Sequence, residues 1–376
     1  MTDQRVRIGL IVNPVAGMGG AVGLKGTDGA DVLARARALG SEARAGERAR
    51  QAMALLAPLA DRFTLLTAAG AMGADAARAA GLAAAIVYTP PSTTTAADTR
   101  AAAEALRGVD LLLFCGGDGT ARDVESVLGE ATPAVGIPAG VKMHSGVFAT
   151  SPLAAGRLVA TLLESADWRR LSLRKAEVMD IDEAAFRNNR LSARLYGYLA
   201  VPEARRLLQQ PKQGGYTDDE QSVHDAAQAL ARELDPAVGY VVGPGRSAKA
   251  VLDTLGLTGT LLGVDLLIDG RIVGRDIGDR MLIDRVGARP VRIIAGITGG
   301  QGFLFGRGNQ QIAPEIIRRA GRDGLLVIAG RQKLAHLTDG RLLVDTGDPA
   351  LDRELEGYIR VRCGATEWML MRVEAA

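Results

Sequence analysis

The sequence predicts an α/β protein, with a parallel N-terminal sheet domain and a strand-rich C-terminal domain. Three observations predict it. Short apolar runs alternate with helical stretches over residues 1–165, the pattern of a parallel sheet with crossover helices. These runs stop at turn-forming residues, as at Asn13-Pro14, Gly116-Gly117 and Pro138-Ala139-Gly140. From residue 166 onward the expected strands become mixed in polarity. The 376 residues fit two domains at ~100–200 residues each, divided as 1–165 and 166–376.

Residues 6–12 (VRIGLIV) read as a buried strand closed by the Asn13-Pro14 turn. A glycine-dense stretch follows, at Gly17, Gly19, Gly20, Gly23, Gly26 and Gly29. It is too short, and too poor in proline, for a collagen segment. The Ala/Arg-rich stretch 30–58 has helical propensity, with Gly40 and Gly46 as its internal breakers. Strands are expected at 63–67, 84–88, 109–115 and 134–137, and helices at 97–107 and 121–128. Ser151-Pro152 starts a further helix that runs to about residue 165, with a capping serine ahead of a first-turn proline. In the second domain, strands are expected at 171–182, 191–201, 238–242, 260–268, 291–297 and 325–328. Helices are expected at 219–234 and after the Gly243 turn, and the tail 341–376 reads as short strands around a turn.

Composition narrows the class. Apolar residues make up 47% and charged residues 23% of the chain, enough for a large core and unlike a disordered chain. Aromatics are only 4%, so that core rests on Ala, Val, Leu and Ile. The 45 basic and 43 acidic residues leave a net charge of +2. No basic block with interleaved aromatics appears, so nucleic acid is not an expected partner. Cys115 and Cys363 lie far apart and form no CxxC pair, against a disulfide framework or a zinc site. MTDQRVR leads straight into the first strand without a signal-like apolar region, and no apolar run reaches ~18 residues. A soluble, cytoplasmic protein with no membrane partner is expected.

The sharpest chemical signal is Gly116-Gly117-Asp118-Gly119-Thr120, between an apolar strand and a helical pattern. Ligands of parallel sheets sit at the carboxyl ends of strands, where this turn falls. Glycines let the backbone approach a phosphate, and adjacent N–H groups form an anion nest. The following helix adds roughly half a unit of positive charge. A carboxylate placed there repels phosphate. It makes sense if Asp118 faces a hydroxyl to be deprotonated, or a Mg²⁺ ion. The plainer alternative is that Asp118 caps the helix.

A strand ending in Asn13-Pro14, with GGDGT at 116–120, is similar to the ATP-NAD kinase superfamily, which also holds diacylglycerol and sphingosine kinases. VNPVAGMGGAVGLKGTDG (12–29), GVKMHSGVFA (140–149) and TGGQGFLFGRGNQQI (298–312) further resemble the NAD-kinase-like proteins found with acetoin catabolism. The resemblance spans residues 6 to 373. It implies the NAD kinase/diacylglycerol kinase-like fold, with an N-terminal nucleotide-binding domain and the site in the cleft between the domains. It also implies transfer of a phosphoryl group from ATP or polyphosphate to the 2′-hydroxyl of the adenosine ribose of NAD, with Mg²⁺. NAD and ATP are then the ligands. Asp118 matches the family's general base, which also helps position the metal. Gly116, Gly117, Gly119 and Thr120 would line the nucleotide phosphates, with Asn13 beside them. Such a site needs few reactive side chains, because phosphoryl transfer is mostly positioning and electrostatic stabilisation. By analogy with this fold, a homo-oligomer is expected.

The chain departs from that pattern in two places. The Asn-Glu pair that grips the acceptor nucleotide in the family has no counterpart at the expected place. The family's hydroxyl-rich loop is replaced by Ile297-Thr298-Gly299-Gly300-Gln301-Gly302. The acceptor therefore stays open between NAD and another hydroxyl compound, and a non-catalytic nucleotide sensor is the alternative from another class.

Further candidates each have a structural competitor. The Gly17–Gly29 stretch with Lys25 either wraps a triphosphate or is a surface loop. It matches neither the P-loop nor the dinucleotide glycine spacing. Lys142, His144 and Ser145 follow Gly140 and either touch phosphate or ribose or serve structure. Gly243-Pro244-Gly245-Arg246, with Lys249 nearby, joins a strand to a helix and is either an anion site or a plain turn. Asp265 either holds a ribose hydroxyl or satisfies a turn. Gly299, Gly300, Gln301 and Gly302 are candidates for nucleotide contact, as is the polar stretch 306–311. The pairs Asp180/Asp182 and Asp218/Asp219 read as solvated faces, and Trp168 and Trp368 as packing residues.

Overall fold

Strand β1 (Val6–Val12) forms the middle of the N-terminal sheet. The computed structural model describes residues 5–22, 30–140, 143–165, 172–181, 193–203, 218–298, 302–306, 308–337 and 340–376. Among these, β1 is joined by β2 (Phe63–Ala68), β3 (Ala85–Tyr88), β4 (Leu111–Gly116) and β5 (Ala134–Pro138) in the order β3-β2-β1-β4-β5. Every pairing is parallel. β4 and β5 are buried along their whole length, as continuous apolar runs in doubly covered parallel sheets are.

The chain builds outward from β1 through β2 to β3, then crosses back to add β4 and β5 on the other side. Right-handed crossovers send the helices of the two halves to opposite faces. After α1 (Met18–Ala21) and α2 (Ala30–Ala38) comes α3 (Ala45–Ala54), which packs on α4 (Ala74–Ala79) and α7 (Pro152–Glu164). α5 (Ala96–Ala105) packs on α6 (Asp118–Leu128). The expected 30–58 helix is thus two helices. Gly40, at φ +77°, breaks it, while Gly46 sits inside α3. Thr95 and Asp98 start α5 with a reciprocal capping box, and Ser151 Oγ caps α7 by accepting from Ala154 N at 3.0 Å. β6 (Leu173–Ile181) and β7 (Ala193–Pro202) form an antiparallel hairpin that packs on α6. Of the described residues 5–203, all but 19–22 and 38–41 make one compact unit.

The described residues from 218 onward, with 19–22 and 38–41, form a second unit. It contains α8 (Asp218–Arg232), β8 (Gly239–Val242), α9 (Arg246–Thr254), β9 (Asp265–Ile268), β10 (Arg271–Gly274), α10 (Asp279–Val286), β11 (Val291–Ala295) and β12 (Phe303–Phe305). α11 (Pro314–Ala320), β13 (Leu325–Ile328), α12 (Arg331–Ala335), β14 (Arg341–Val344), α13 (Pro349–Glu354), β15 (Gly357–Arg362) and β16 (Trp368–Ala375) follow. Its described strands run β10-β9-β8-β11-β13-β15-β16-β14-β12. β8, β11, β13 and β15 are parallel neighbours. Side chains alternate: Tyr240, Val242, Ile294 and Ile328 pack with Ala226, Ala227 and Leu230 of α8 and Val251 and Leu252 of α9. Val241, Ile293 and Val327 face the other core, with Ile316 and Ile317 of α11.

Three expectations for this unit are corrected. The run 260–268 is a strand only from Asp265, because Thr260 and Asp265 close a turn on each other. The tail holds a helix, α13, started by Asp348, whose Oδ1 accepts from Ala350 N and Leu351 N at 3.0 and 3.1 Å. Asp219 is no solvated residue. Its carboxylate accepts from Gln332 N and Lys333 N, both at 2.8 Å, at the start of α12. In the first unit, Asp180 likewise pairs with Arg122 at 2.8 Å. Asp182 and Trp168 lie outside the described residues. No helix among the described residues is long and apolar enough to cross a membrane.

Two expected outcomes follow from this packing. A Cβ at Gly156 of α7 would meet Ala52 O of α3 at 2.4 Å, so the helices touch through backbone. Gly156→Ala raises helix propensity by ~1 kcal/mol, yet overpacking outweighs it, and urea unfolding should show a net loss of about 1–3 kcal/mol. An unchanged or higher urea midpoint would refute the close packing. Burial pushes the Cys115 thiol from 9.0 up to about 12. The folded state holds this proton after the unfolded chain has lost it, so the contribution is complete below pH 9.0 and is lost as pH rises towards about 12. Urea midpoints of the wild type should therefore fall more steeply over that window than those of Cys115→Ala; parallel slopes would refute it.

Candidate functional site

Gly116 ends β4, Gly117 precedes α6 and Asp118 opens it. Val12 of β1 pairs with Cys115 of β4, so this turn lies where the sheet reverses its order, the place where open parallel sheets form ligand crevices. Asn13 ties the corner together. Its N–H donates to Cys115 O at 2.9 Å, its Nδ2 donates to Thr120 Oγ1 at 3.0 Å, and its Oδ1 accepts from Val15 N at 3.2 Å.

The glycines serve close backbone approach. Gly116 O accepts from Ala139 N and Gly140 N at 2.9 and 3.0 Å. A Cβ on Gly140 would lie 2.6 Å from Gly117 Cα, and one on Gly117 would lie 3.1 Å from Gly140 Cα. Gly17, at φ +79°, would place a Cβ 2.0 Å from Ala139 O. Three turns thus meet backbone to backbone.

Asp118 is buried, and its carboxylate turns away from its own helix to a loop 26 residues on. Oδ2 accepts from His144 N at 2.7 Å. Oδ1 accepts from Ser145 N at 3.1 Å and from Ser145 Oγ at 2.6 Å. His144 Nδ1 stands 3.4 Å from Oδ2, long for a hydrogen bond. The Ser145 hydroxyl also accepts from Met179 N at 3.0 Å and lies 2.9 Å from Met179 O. Gly146 N donates to Glu177 O at 2.9 Å. The β6–β7 hairpin therefore hangs on Asp118 through residues 144–146.

A carboxylate offers about four acceptor sites. Oδ1 uses both of its own, while Oδ2 accepts from His144 N at 2.7 Å and has only the long 3.4 Å contact to the His144 ring nitrogen besides. Oδ2 is thus the less firmly bonded oxygen, and the one suited to take a hydroxyl proton or face a metal ion. Beside it, α6 begins with amides of Asp118, Gly119 and Thr120 that have no carbonyl within the helix to bond, the means to hold a phosphate. Asn13, Gly116, Gly117, Asp118, Gly119, Thr120, His144 and Ser145 are thus brought together. Lys142 and Lys25 lie outside the described residues. The part of Met179 had no sequence signal, since only its backbone takes part.

In the second unit Gly243 N donates to Ile294 O and Gly245 N to Leu261 O, both at 2.8 Å. These two amides are occupied, which leaves those of Arg246, Ser247 and Ala248 at the start of α9. Asp265 is engaged in a turn: it accepts from Thr260 N at 2.6 Å, Thr260 Oγ1 at 2.8 Å and Asp276 N at 3.0 Å. In the 306–311 stretch, Asn309 bonds Leu304 O and Gly306 N at 2.8 and 2.9 Å, and Gln311 bonds Asp276 Oδ1 and Ile277 O at 3.0 and 3.1 Å. Both side chains hold loops. Gly302, at φ +72°, closes the 298–302 loop by donating to Thr298 O at 3.0 Å. Gly299, Gly300 and Gln301 lie outside the described residues.

Residues 8–167 match the family model of the ATP-NAD kinase N-terminal domain, and residues 239–373 that of the ATP-NAD kinase C-terminal domain. The first match contains Asn13, Asp118 and Ser145; the second contains the Gly243–Ser247 turn. No curated protein and no solved structure matches the chain. Two domains of one family, in succession over most of the sequence, make this chain a member of the ATP-NAD kinase superfamily.

Proposed function

We propose that the protein is an NAD kinase-like phosphotransferase that moves a phosphoryl group from ATP, or from polyphosphate, to the 2′-hydroxyl of the adenosine ribose of NAD. The observation that carries this reading is the Asp118 carboxylate, held at the strand reversal by the His144 and Ser145 amides and the Ser145 hydroxyl, with the His144 ring nitrogen 3.4 Å from Oδ2. The acceptor hydroxyl gives its proton to that oxygen. The freed oxygen attacks the terminal phosphorus, and the bond from phosphorus to the leaving phosphate breaks with its electron pair on the leaving group. The amides opening α6 orient the transferred phosphate. The GVKMHSGVFA stretch favours the branch of the family found with acetoin catabolism.

Among the described residues no group of three His, Cys, Asp or Glu is arranged to hold a metal ion. Mg²⁺ with nucleotides is commonly held by one or two carboxylates and the substrate phosphates. The residues fit a Mg²⁺ that arrives on ATP, with Asp118 as the protein oxygen beside it. Bound there, it would neutralise charge on the phosphates.

Incubation of the purified protein with ATP, Mg²⁺ and NAD should yield NADP. Asp118→Asn should lower that turnover by about 10²–10⁴-fold, the usual worth of a positioned base. It should also cost about 1–2 kcal/mol of stability, since an amide cannot accept from both neighbouring N–H groups as the carboxylate does. A folded Asp118→Asn protein with full activity would overturn the assignment. ATP turnover only with another hydroxyl compound would move the reading to that acceptor.

A further inference from the structure

We propose that Ser145 is a positioning residue: its hydroxyl, set by a bulge in β6, holds the Asp118 carboxylate so that Oδ2 meets the acceptor hydroxyl. The inference rests on the reading of Asp118 as the base. It gives Ser145 no contact with a nucleotide, one of the two roles open to it from the sequence.

Ser145 is fully buried, and its hydroxyl is used up inside the protein. A hydroxyl has one hydrogen to donate. Two oxygens stand within reach of it, Asp118 Oδ1 at 2.6 Å and Met179 O at 2.9 Å. The carboxylate is both the nearer and the charged acceptor, so it takes the hydrogen. Met179 N in turn donates to Oγ at 3.0 Å. A buried hydroxyl so engaged has no hydrogen left for a phosphate or a ribose.

Strand β6 supplies an independent observation. Its register against β7 shifts between Val178 and Met179. Bulges re-aim groups along a strand and are over-represented beside active sites. Here the residue just past the shift turns its N–H and its carbonyl to one side chain, Ser145 Oγ. The main chain of the hairpin therefore fixes the hydroxyl from one side, and the carboxylate fixes it from the other.

The effect falls on the two oxygens of Asp118 unequally. Without the hydroxyl, Oδ1 would keep only Ser145 N at 3.1 Å, while Oδ2 would keep His144 N at 2.7 Å and the long contact to the His144 ring. The firmer hold would then lie on the oxygen that has to take the proton. With the hydroxyl, Oδ1 is the anchored oxygen and Oδ2 the one left to react. A base must sit within hydrogen-bond reach of its proton, and a misplacement of about 1 Å costs ~10²-fold.

Steady-state kinetics with ATP, Mg²⁺ and NAD test this. Ser145→Ala should lower kcat by about tenfold or more, the worth of one charge-assisted hydrogen bond, with KM for NAD and for ATP within about twofold of the wild type. Ser145→Cys keeps a weak donor and should fall between the two. It keeps the test open if Ser145→Ala fails to fold, and thermal melts report on both. In the Asp118→Asn background Ser145→Ala should lower kcat no further, because Ser145 acts through the carboxylate. A raised KM with kcat unchanged would make Ser145 a substrate contact and overturn the proposal. Full kcat in both folded variants, or an equal loss with and without the Asp118 carboxylate, would also overturn it. Full activity of Asp118→Asn would instead overturn the reading on which the proposal rests.

Discussion

The backbone of Gly117 rests against that of Gly140, and the candidate site depends on that contact. With any side chain at either position the β4–α6 turn and the turn after β5 would separate. Kept together, they bring residues 144 and 145 over the first turn of α6, within reach of Asp118. A buried carboxylate is costly unless its oxygens are satisfied. Asp118 meets that need with two amides and a hydroxyl from one short loop, so the loop position and the carboxylate orientation fix each other. Ser145 extends the linkage to Met179, and the β6–β7 hairpin is thereby tied to the same corner.

Much of this was legible in the sequence where the signal is local. Continuous apolar runs gave the parallel strands, because both faces of β4 and β5 are covered. The GGDGT turn announced itself by its place between a strand and a helix. What stayed hidden is carried by distant pairs. Nothing near Asp118 says that its carboxylate belongs to the amides of His144 and Ser145. Nothing near Asp219 says that it holds the start of α12, 113 residues away.

The other misses have different causes. The run 260–268 is apolar enough for one strand, but a buried Asp265 must be hydrogen-bonded, and Thr260 turns back to do it. The start of α13 was readable: Asp348-Pro349 is a capping residue followed by a first-turn proline. With six residues, that helix offers no periodicity to draw attention to it. The family resemblance pointed in the first unit to residues that lie together, and in the second to polar residues most of which hold loops.

The two glycine-led helix starts carry opposite charges, Asp118 at α6 and Arg246 at α9. Each presents open amides at the end of a buried parallel strand. At α6 a carboxylate stands in the first turn, which disfavours a close phosphate dianion and favours a hydroxyl with a proton to give, or a phosphate already neutralised by a cation. At α9 the first turn has no acid and begins with arginine, so the positive end of that helix dipole is met by a like charge and not by a carboxylate as at α6.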